Sequence, residues 1–588
     1  MCSMKEYSPV LAMYDVRGKQ DFIFRTNKLK EIVGGSWIIR DVFKDYLYPI
    51  AKDVAAELSK DNSGEIMGIY NYHDSEEKSE EKYAFSEKNL ETHLKTEGYI
   101  GELVYDGGGN FLLIFRNREI YREVTFRFTK TLKEYIGSLQ VIGTCIDHVD
   151  FQNYKADRDE LYRQHRITEN TLPVASSDLV LPITQMNRST LQPLLHCASY
   201  DACADYARRA YGNDVCQSVL ETFKDQSSKS NDNKFTKEQF AKRLKFALEM
   251  KRIEENQAEY LSDLEKEFYR KNEKILDNLI EEKGKDSKLA VVYIDGNNMG
   301  AKVQELIGED VSYKTAIPAL RKFSEEIQKL YVEEGVEKAF ARVDKGFRLV
   351  VSAGDEINFI VKAKDAFVCA KDYLEALKKH DDEKKDVASA CAGIAVFHSH
   401  SPYADAYRIA EECCETGKKL MKQEGLPVAS FIDFHICQGA TGTSLEDIRK
   451  RENGEIISRP WMLWEMGTDS SQKSNITSYK DVERMMNYLR LLGRSNIKGL
   501  AEAAKESSVK LTLELRRIWG HKDEEFKEKQ KTEKEWIDNS LPDETRRKLI
   551  YDIVIAYDLW FRDTPGVSDA AVDGQKGNTD GKDGGENE

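Results

Sequence analysis

Short unbroken apolar runs alternate along this chain with longer stretches in which apolar residues recur three and four apart, the marks of buried strands and of amphipathic helices. SPVLAMYDVRG is the first such run; it holds Asp15 and ends at a glycine, which predicts a strand entering a turn. The helix-forming stretch KLKEIVGGSWIIRDVFKDYLYPIAKDVAAEL follows, and the more polar residues 60–100 read as containing a loop. GELVYDGGGNFLLIF then predicts strand, glycine turn and strand, with Gly107, Gly108 and Gly109 before Asn110. A helix through REVTFRFTKTLKEYI and a strand at LQVIGTCI close a first α/β unit by about residue 155.

The same order returns later. LAVVYIDGNNMG predicts a central strand carrying Asp295, a helix follows at about 312–333, and RLVVSAGDEINFIV is a second strand–turn–strand, now with two acids in its turn. The helix AKDAFVCAKDYLEALKKH, the strand VASACAGIAVF, the helix YADAYRIAEECCETGKKLMKQ and the run VASFIDFHI complete the second unit near residue 437. A duplication at domain scale is therefore expected. Between the two units, residues 156–285 are strongly charged with apolar positions at helical spacing, which predicts a mostly helical linker whose charges face solvent. Residues 475–560 read as helical, and from Asp563 onward 7 acids against 2 lysines, with little to bury, predict a disordered acidic tail. The expected domains are 1–155, 156–285, 286–440, 441–562 and the tail 563–588.

Length and charge refine this plan. A chain of 588 residues with 40% hydrophobic content can bury several cores. A formal net charge of −15 argues against a generic polycation wrapping long nucleic acid, though not against a local basic groove. The 10 cysteines include no CxxC pair, so neither a disulfide scaffold nor a zinc ribbon is indicated; Cys197, Cys203 and Cys216 read as core or surface thiols. No secretory leader pattern opens the chain and no apolar run is long enough to span a bilayer, so no membrane role and a reducing cytoplasm are expected.

The candidate chemistry lies in the second unit. Asp295 directly follows an apolar strand, and Asp355 and Glu356 occupy the turn between two more. If those strands are neighbours, three carboxylates converge at one sheet edge, where they repel one another unless divalent cations neutralise them. Oxygen donors suit Mg²⁺ or Mn²⁺, and two ions would serve an in-line phosphoryl displacement. An Asp-Glu pair in a hairpin is by itself an ordinary polar turn; its neighbours change that. Gly296, Asn297, Asn298 and Gly300 form a tight turn whose backbone N–H groups suit a triphosphate, although an ordinary strand-to-helix loop has the same composition. Lys418 and Lys419 follow a glycine late in a helix, where one of them could reach phosphate, although exposed helix lysines usually do nothing specific. Asn, Ser and Gly residues near the hairpin, Ser352 and Gly354 among them, could serve the base, and the sequence does not select among them.

Taken together these segments resemble the large subunit of type III CRISPR effector complexes, whose paired palm domains convert ATP to cyclic oligoadenylate. YDVRGKQDFIFRTNKLKEIVGGS and YDGGGNFLLIF resemble that family's first palm and its acid-free hairpin, and YIDGNNMG opens the second. SAGDEINFIV stands in place of the family's GGDD hairpin, with Ala353 for the first glycine and Glu356 for the last aspartate; it also resembles the GGDEF hairpin of diguanylate cyclases. ASACAGIAVFHSHSPYADAYRIAEECCETGKKL resembles the strand and helix closing the palm, and FIDFH, ISRPW and LTLELRR its exit and C-terminal helical domain.

The resemblance implies an α/β (α+β) fold of two ferredoxin-like palm or nucleotide-cyclase domains, with a helical insert and a helical C-terminal domain. It implies that Asp295, Asp355 and Glu356 hold two Mg²⁺ or Mn²⁺ ions, that Lys418 faces phosphate, and that ATP is the substrate. The first palm, with Asp15 at the family's aspartate position, would bind an acceptor nucleotide without catalysing, through Gly108, Gly109 and Asn110 and through Gly34, Gly35 and Ser36. Implied partners are CRISPR effector subunits and guide or target RNA, with self-association left open. The sequence opens on the first palm, so the HD nuclease of many relatives is expected to be absent, and the dipeptides His73-Asp74 and His380-Asp381 have no partner histidines to replace it. A non-catalytic nucleotide- or RNA-binding scaffold, a stand-alone synthase using another base, and a diguanylate cyclase are the competing readings.

Overall fold

The computed structural model describes residues 7–172, 279 and 287–560, apart from 25–28, 61–65, 75–79, 86–97, 108–109, 137–138, 148, 150, 342, 344–346, 385–387, 427, 440–442, 453, 455, 467–475 and 540. The expected helical linker beyond residue 172, the cysteines at 197, 203 and 216, Gly108, Gly109 and the acidic tail lie outside the described residues. The chain divides into two compact units, Met1–Arg484 and Met485–Glu588.

Among the described residues, the first unit contains two sheets. One is built from β1 (Val10–Arg17), β2 (Ile66–Tyr70), β3 (Gly98–Gly107), β4 (Asn110–Phe115) and β5 (Gln140–Ile146), in the order β2-β3-β4-β1-β5. The other comprises β6 (Lys288–Gly296), β7 (Phe347–Ala353), β8 (Glu356–Lys362), β9 (Ala390–His398), β10 (Val428–Ile436) and β11 (Trp461–Met466), in the order β11-β10-β9-β6-β8-β7. The middle of each sheet has the same antiparallel plan: the first strand, β1 or β6, lies between the second arm of the hairpin, β4 or β8, and the strand that follows the hairpin, β5 or β9. With the helices Leu29–Val42, Tyr48–Lys60 and Arg118–Tyr135 in one case and Tyr313–Ile327 and Ala366–Lys384 in the other, both are ferredoxin-like α/β domains. The unbroken apolar runs form central strands because both faces of each sheet are covered; Leu289 to Ile294 are all buried.

The duplication extends to register. Asp15 pairs with Asn110 on β4 and Ile142 on β5; Asp295 pairs with Glu356 on β8 and Cys391 on β9. The helix Tyr154–Thr171 follows β5 as Tyr403–Gln423 follows β9, and each brings a base to its aspartate, with His165 Nε2 3.5 Å from Asp15 Oδ2 and Lys418 on Asp295. The domains also embrace reciprocally: Leu29–Val42 packs on β7, and Tyr313–Ile327 packs on β3. Arg321 locks the second contact, fully buried and donating to Glu102 Oε1 at 2.9 Å and to the Tyr83 and Ala84 carbonyls at 3.2 Å.

The second unit is helical. Arg494–Glu506, Ser508–Gly520 and Asp543–Trp560 pack through Ile497, Leu500, Leu511, Leu549 and Ile553, and Ser507 caps the second of them by accepting from the Lys510 N–H.

Candidate functional site

The acidic turn is the tip of the β7–β8 hairpin. Ala353 pairs with Glu356, leaving Gly354 and Asp355 as a two-residue loop, and Gly354 has φ 63°, the left-handed value that such a loop demands of its first residue. The glycine this turn requires is therefore the one retained, and Ala353 is the last residue of β7. Glu356 lies directly across from Asp295, so their side chains share one face of the sheet. Asp355 leans onto Gly296: a Cβ there would come within 2.7 Å of Asp355 Oδ2. All three predicted carboxylates meet at the end of β6.

Their electrostatics follow from this crowding. Burial, then the Asp295 charge, raises Asp355 to about 6. Burial, then Asp295, raises Glu356 to about 7. Burial, with Asp295 among the neighbouring acids, also raises Glu411. Lys418 supplies the compensating charge, donating to Asp295 Oδ2 and at 3.1 Å to the Gly296 carbonyl. Burial opposes its charge, but Asp295 and Cys414 outweigh that and hold the ammonium more firmly protonated than usual. It reaches the cluster because the helix Tyr403–Gln423 lies flat on β9: a Cβ at Gly393 would overlap the Ala410 carbonyl.

The predicted phosphate turn is partly committed elsewhere. Asn297 is buried, and its amide donates to Ser389 Oγ at 3.1 Å and to the Ala429 carbonyl at 2.9 Å, tying the end of β6 to its neighbours. Asn298 is exposed with φ 58°, and Gly300 sits in open space one position into the helix Met299–Ile307. Ser352 belongs to β7. Gly34, Gly35 and Ser36 are buried inside the helix Leu29–Val42, which packs on β7; an added Cβ at Gly35 would lie 3.5 Å from Ile23 Cα. Asn110 begins β4, and Tyr105 on the same hairpin stands close enough to Asp355 that, after burial, Tyr162 and Asp106, this carboxylate helps push its phenol up to about 12.

Three residues absent from the sequence reading complete the site. Tyr403, Tyr407 and Glu411 fall four apart on the helix that carries Lys418. Tyr403 donates to Asn358 Oδ1, Tyr407 donates to Glu356 Oε1 at 3.1 Å, and Glu411 accepts from Gln20 Nε2 at 2.6 Å. Their i, i+4, i+8 spacing was the available signal.

The donor set is all carboxylate, which fits a hard divalent cation. Among the described residues no group of three or more acids, histidines or cysteines stands in metal-ligating geometry; Asp295 is engaged by Lys418.

Residues 288–426 match the family model of the Cas10/Cmr2 second palm domain. Solved structures similar to the chain include a Csm1-Csm4 cassette in complex with AMPPNP, at 12% identity and TM-score 0.37, covering 71% of this chain and 54% of that one. A Csm1-Csm4 cassette in complex with pppApApA is 13% identical at TM-score 0.44, covering 95% and 70%. The Csm1-Csm4 subcomplex of a type III-A CRISPR-Csm interference complex is 11% identical at TM-score 0.44, with the same coverage. The chain therefore spans about half the length of the first of these. A search of curated proteins finds no match. The palm match contains Asp295, Asp355, Glu356, Tyr407 and Lys418. Among the described residues, no helix is long and apolar enough to cross a membrane.

Proposed function

We propose that the second palm is a nucleotidyltransferase that joins ATP through 3′–5′ phosphodiester bonds and closes the product into a cyclic oligoadenylate, in the setting of antiviral defence. In each step the 3′-hydroxyl oxygen attacks an α-phosphorus, the bond to the pyrophosphate oxygen breaks, and the hydroxyl proton leaves. The observation that carries this reading is the cross-strand pair Asp295–Glu356, with Asp355 seated on Gly296, inside a segment that matches a palm family model. Asp295, Asp355 and Glu356 would hold Mg²⁺ or Mn²⁺, which when bound acidifies the 3′-hydroxyl and neutralises the leaving group. Lys418 would turn from Asp295 to phosphate, and the exposed backbone at Asn298 to Gly300 would receive the triphosphate. The first palm-like domain would hold the second nucleotide at its Gly107–Asn110 turn, near Tyr105. The choice of adenine rests on the family resemblance, as do CRISPR effector subunits and guide or target RNA as partners.

The test is incubation of the full chain with labelled ATP and Mg²⁺ or Mn²⁺, with and without an activating RNA complex, followed by product mass. A cyclic adenylate that Asp295→Asn abolishes is expected. No phosphodiester product from any nucleotide under either condition overturns the reading. A non-catalytic scaffold is the second reading, favoured by the engagement of Asp295 by Lys418. It gains if the pair of changes Asp355→Ala and Glu356→Ala alters neither products nor metal binding while assembly persists.

A further inference from the structure

The helix Tyr403–Gln423 has one face turned to the carboxylates, and the first palm-like domain touches that same face. Gln20, second in the short helix Lys19–Ile23, and Phe24, which caps its C-terminus, are four residues apart and meet Glu411 and Tyr407, also four apart. The ring centroids of Phe24 and Tyr407 are 4.3 Å apart, and Phe24 lies 6.1 Å from Tyr403. On its other side Tyr407 meets Tyr293 edge-on at 5.4 Å. Its ring is thus clamped between the two domains, and a tyrosine held by ring packing has its hydroxyl direction fixed. That hydroxyl donates to Glu356 Oε1 at 3.1 Å.

Glu356 needs such a restraint. It carries one more methylene than an aspartate would, hence one more rotatable bond, beside two further carboxylates that repel it. Gln20 acts in parallel, holding Glu411, the fourth acid of the neighbourhood, by a bond of 2.6 Å to its Oε1.

We propose that Tyr407 is a positioning residue for the Glu356 carboxylate and that Phe24 of the first palm-like domain sets Tyr407. The first domain then acts on the second domain's chemistry by orienting one of its carboxylates, in addition to any nucleotide it binds. The inference rests on the proposed metal-dependent function, since it assigns Glu356 a metal to meet.

The experiment measures Mn²⁺ affinity of the full chain by electron paramagnetic resonance, with the metal alone as probe, alongside thermal unfolding. Tyr407→Phe keeps the ring and removes the hydroxyl. Its Mn²⁺ affinity is expected to fall about 3- to 10-fold, the net worth of one ordinary hydrogen bond, with the chain still folded cooperatively. Phe24→Ala is expected to weaken Mn²⁺ binding in the otherwise wild-type chain and to add nothing once Tyr407 is Phe, because both act through one hydroxyl. Phe24→Leu retains apolar volume if the alanine variant does not fold, and should give an intermediate loss. Wild-type Mn²⁺ binding that Tyr407→Phe leaves unchanged overturns this inference and spares the proposed function. Additive effects of the two changes overturn the role of Phe24. A wild-type chain that binds no Mn²⁺ overturns both the inference and the function beneath it.

Discussion

The ammonium of Lys418 closes on Oδ2 of Asp295 from the helix crossing the sheet, so the cluster of acids carries its own counter-charge. Both side chains are mostly buried, at 15% and 24% exposure. Lys418→Met leaves Asp295 facing Asp355 and Glu356 without that charge. We expect a loss of about 1–3 kcal/mol of stability without metal. Added Mn²⁺ should raise the melting temperature of the variant more than that of the wild type, because the ion no longer competes with the lysine. Nucleotide affinity should fall in the same variant. Melting curves with and without Mn²⁺, and nucleotide titrations, check all three.

Glu356 gives a pH signature of definite sign. Its carboxyl, raised to about 7 from an ordinary 4.5, keeps in the folded state a proton that the unfolded chain gives up at lower pH. The folded state therefore binds more protons between those values, and its stability falls as pH rises from 4.5 to 7. Glu356→Gln removes this slope. The variant should match the wild type near pH 4.5 and exceed it above pH 7 by about 3 kcal/mol in metal-free buffer. Denaturant unfolding at the two pH values measures it, and equal slopes in both proteins refute it.

Gly296 is the seat on which the hairpin tip rests. A Cβ at this position would lie 2.7 Å from Asp355 Oδ2 and from Met299 Cε. Gly296→Ala must push the tip off β6, an overpacking that costs about 1–3 kcal/mol. The fold should survive while metal affinity and product formation fall together, by about 100-fold for an ångström-scale displacement. Circular dichroism and the ATP product assay separate the two effects.

Arg321 and Glu102 test the embrace of the two domains. Removing one partner, as in Arg321→Met, strands a fully buried carboxylate and should destabilise by about 3–5 kcal/mol. The pair Arg321→Met with Glu102→Leu should recover much of that loss. Urea unfolding of the wild type, Arg321→Met, Glu102→Leu and the double variant closes the cycle.

Much of this plan was legible in the sequence because its strands are buried on both faces and read as unbroken apolar runs. YIDGNN and SAGDEINF also fixed which acids sit at strand ends. Register followed from the hairpin, since a two-residue loop at Gly354 and Asp355 leaves Glu356 a single cross-strand position. The short strands escaped. β2 lies in the polar region expected to contain a loop, and β11 is an edge strand of six residues past residue 437, where the predicted second α/β unit ends. The sequence predicts a phosphate cradle from the backbone N–H groups of the Asn297 turn, yet the Asn297 N–H donates to the Ser389 carbonyl at 2.8 Å and its buried amide seeks internal partners in Ser389 and Ala429. Tyr407 went unremarked because an aromatic on an amphipathic helix reads as core, and its ring is indeed buried. Only its hydroxyl is functional in placement, and that depends on which strand the helix crosses. Phe24 and Gln20 could not be seen at all, since contacts between domains leave no periodic trace in either.

The reciprocal packing of Leu29–Val42 on β7 and Tyr313–Ile327 on β3 makes one polypeptide do what a pair of identical subunits does elsewhere. Its two halves are tethered, so each sees the other at a fixed effective concentration that dilution does not lower. If the proposed synthesis takes place between the two domains, it needs no encounter of protomers, and its specific activity should be flat across protein concentration.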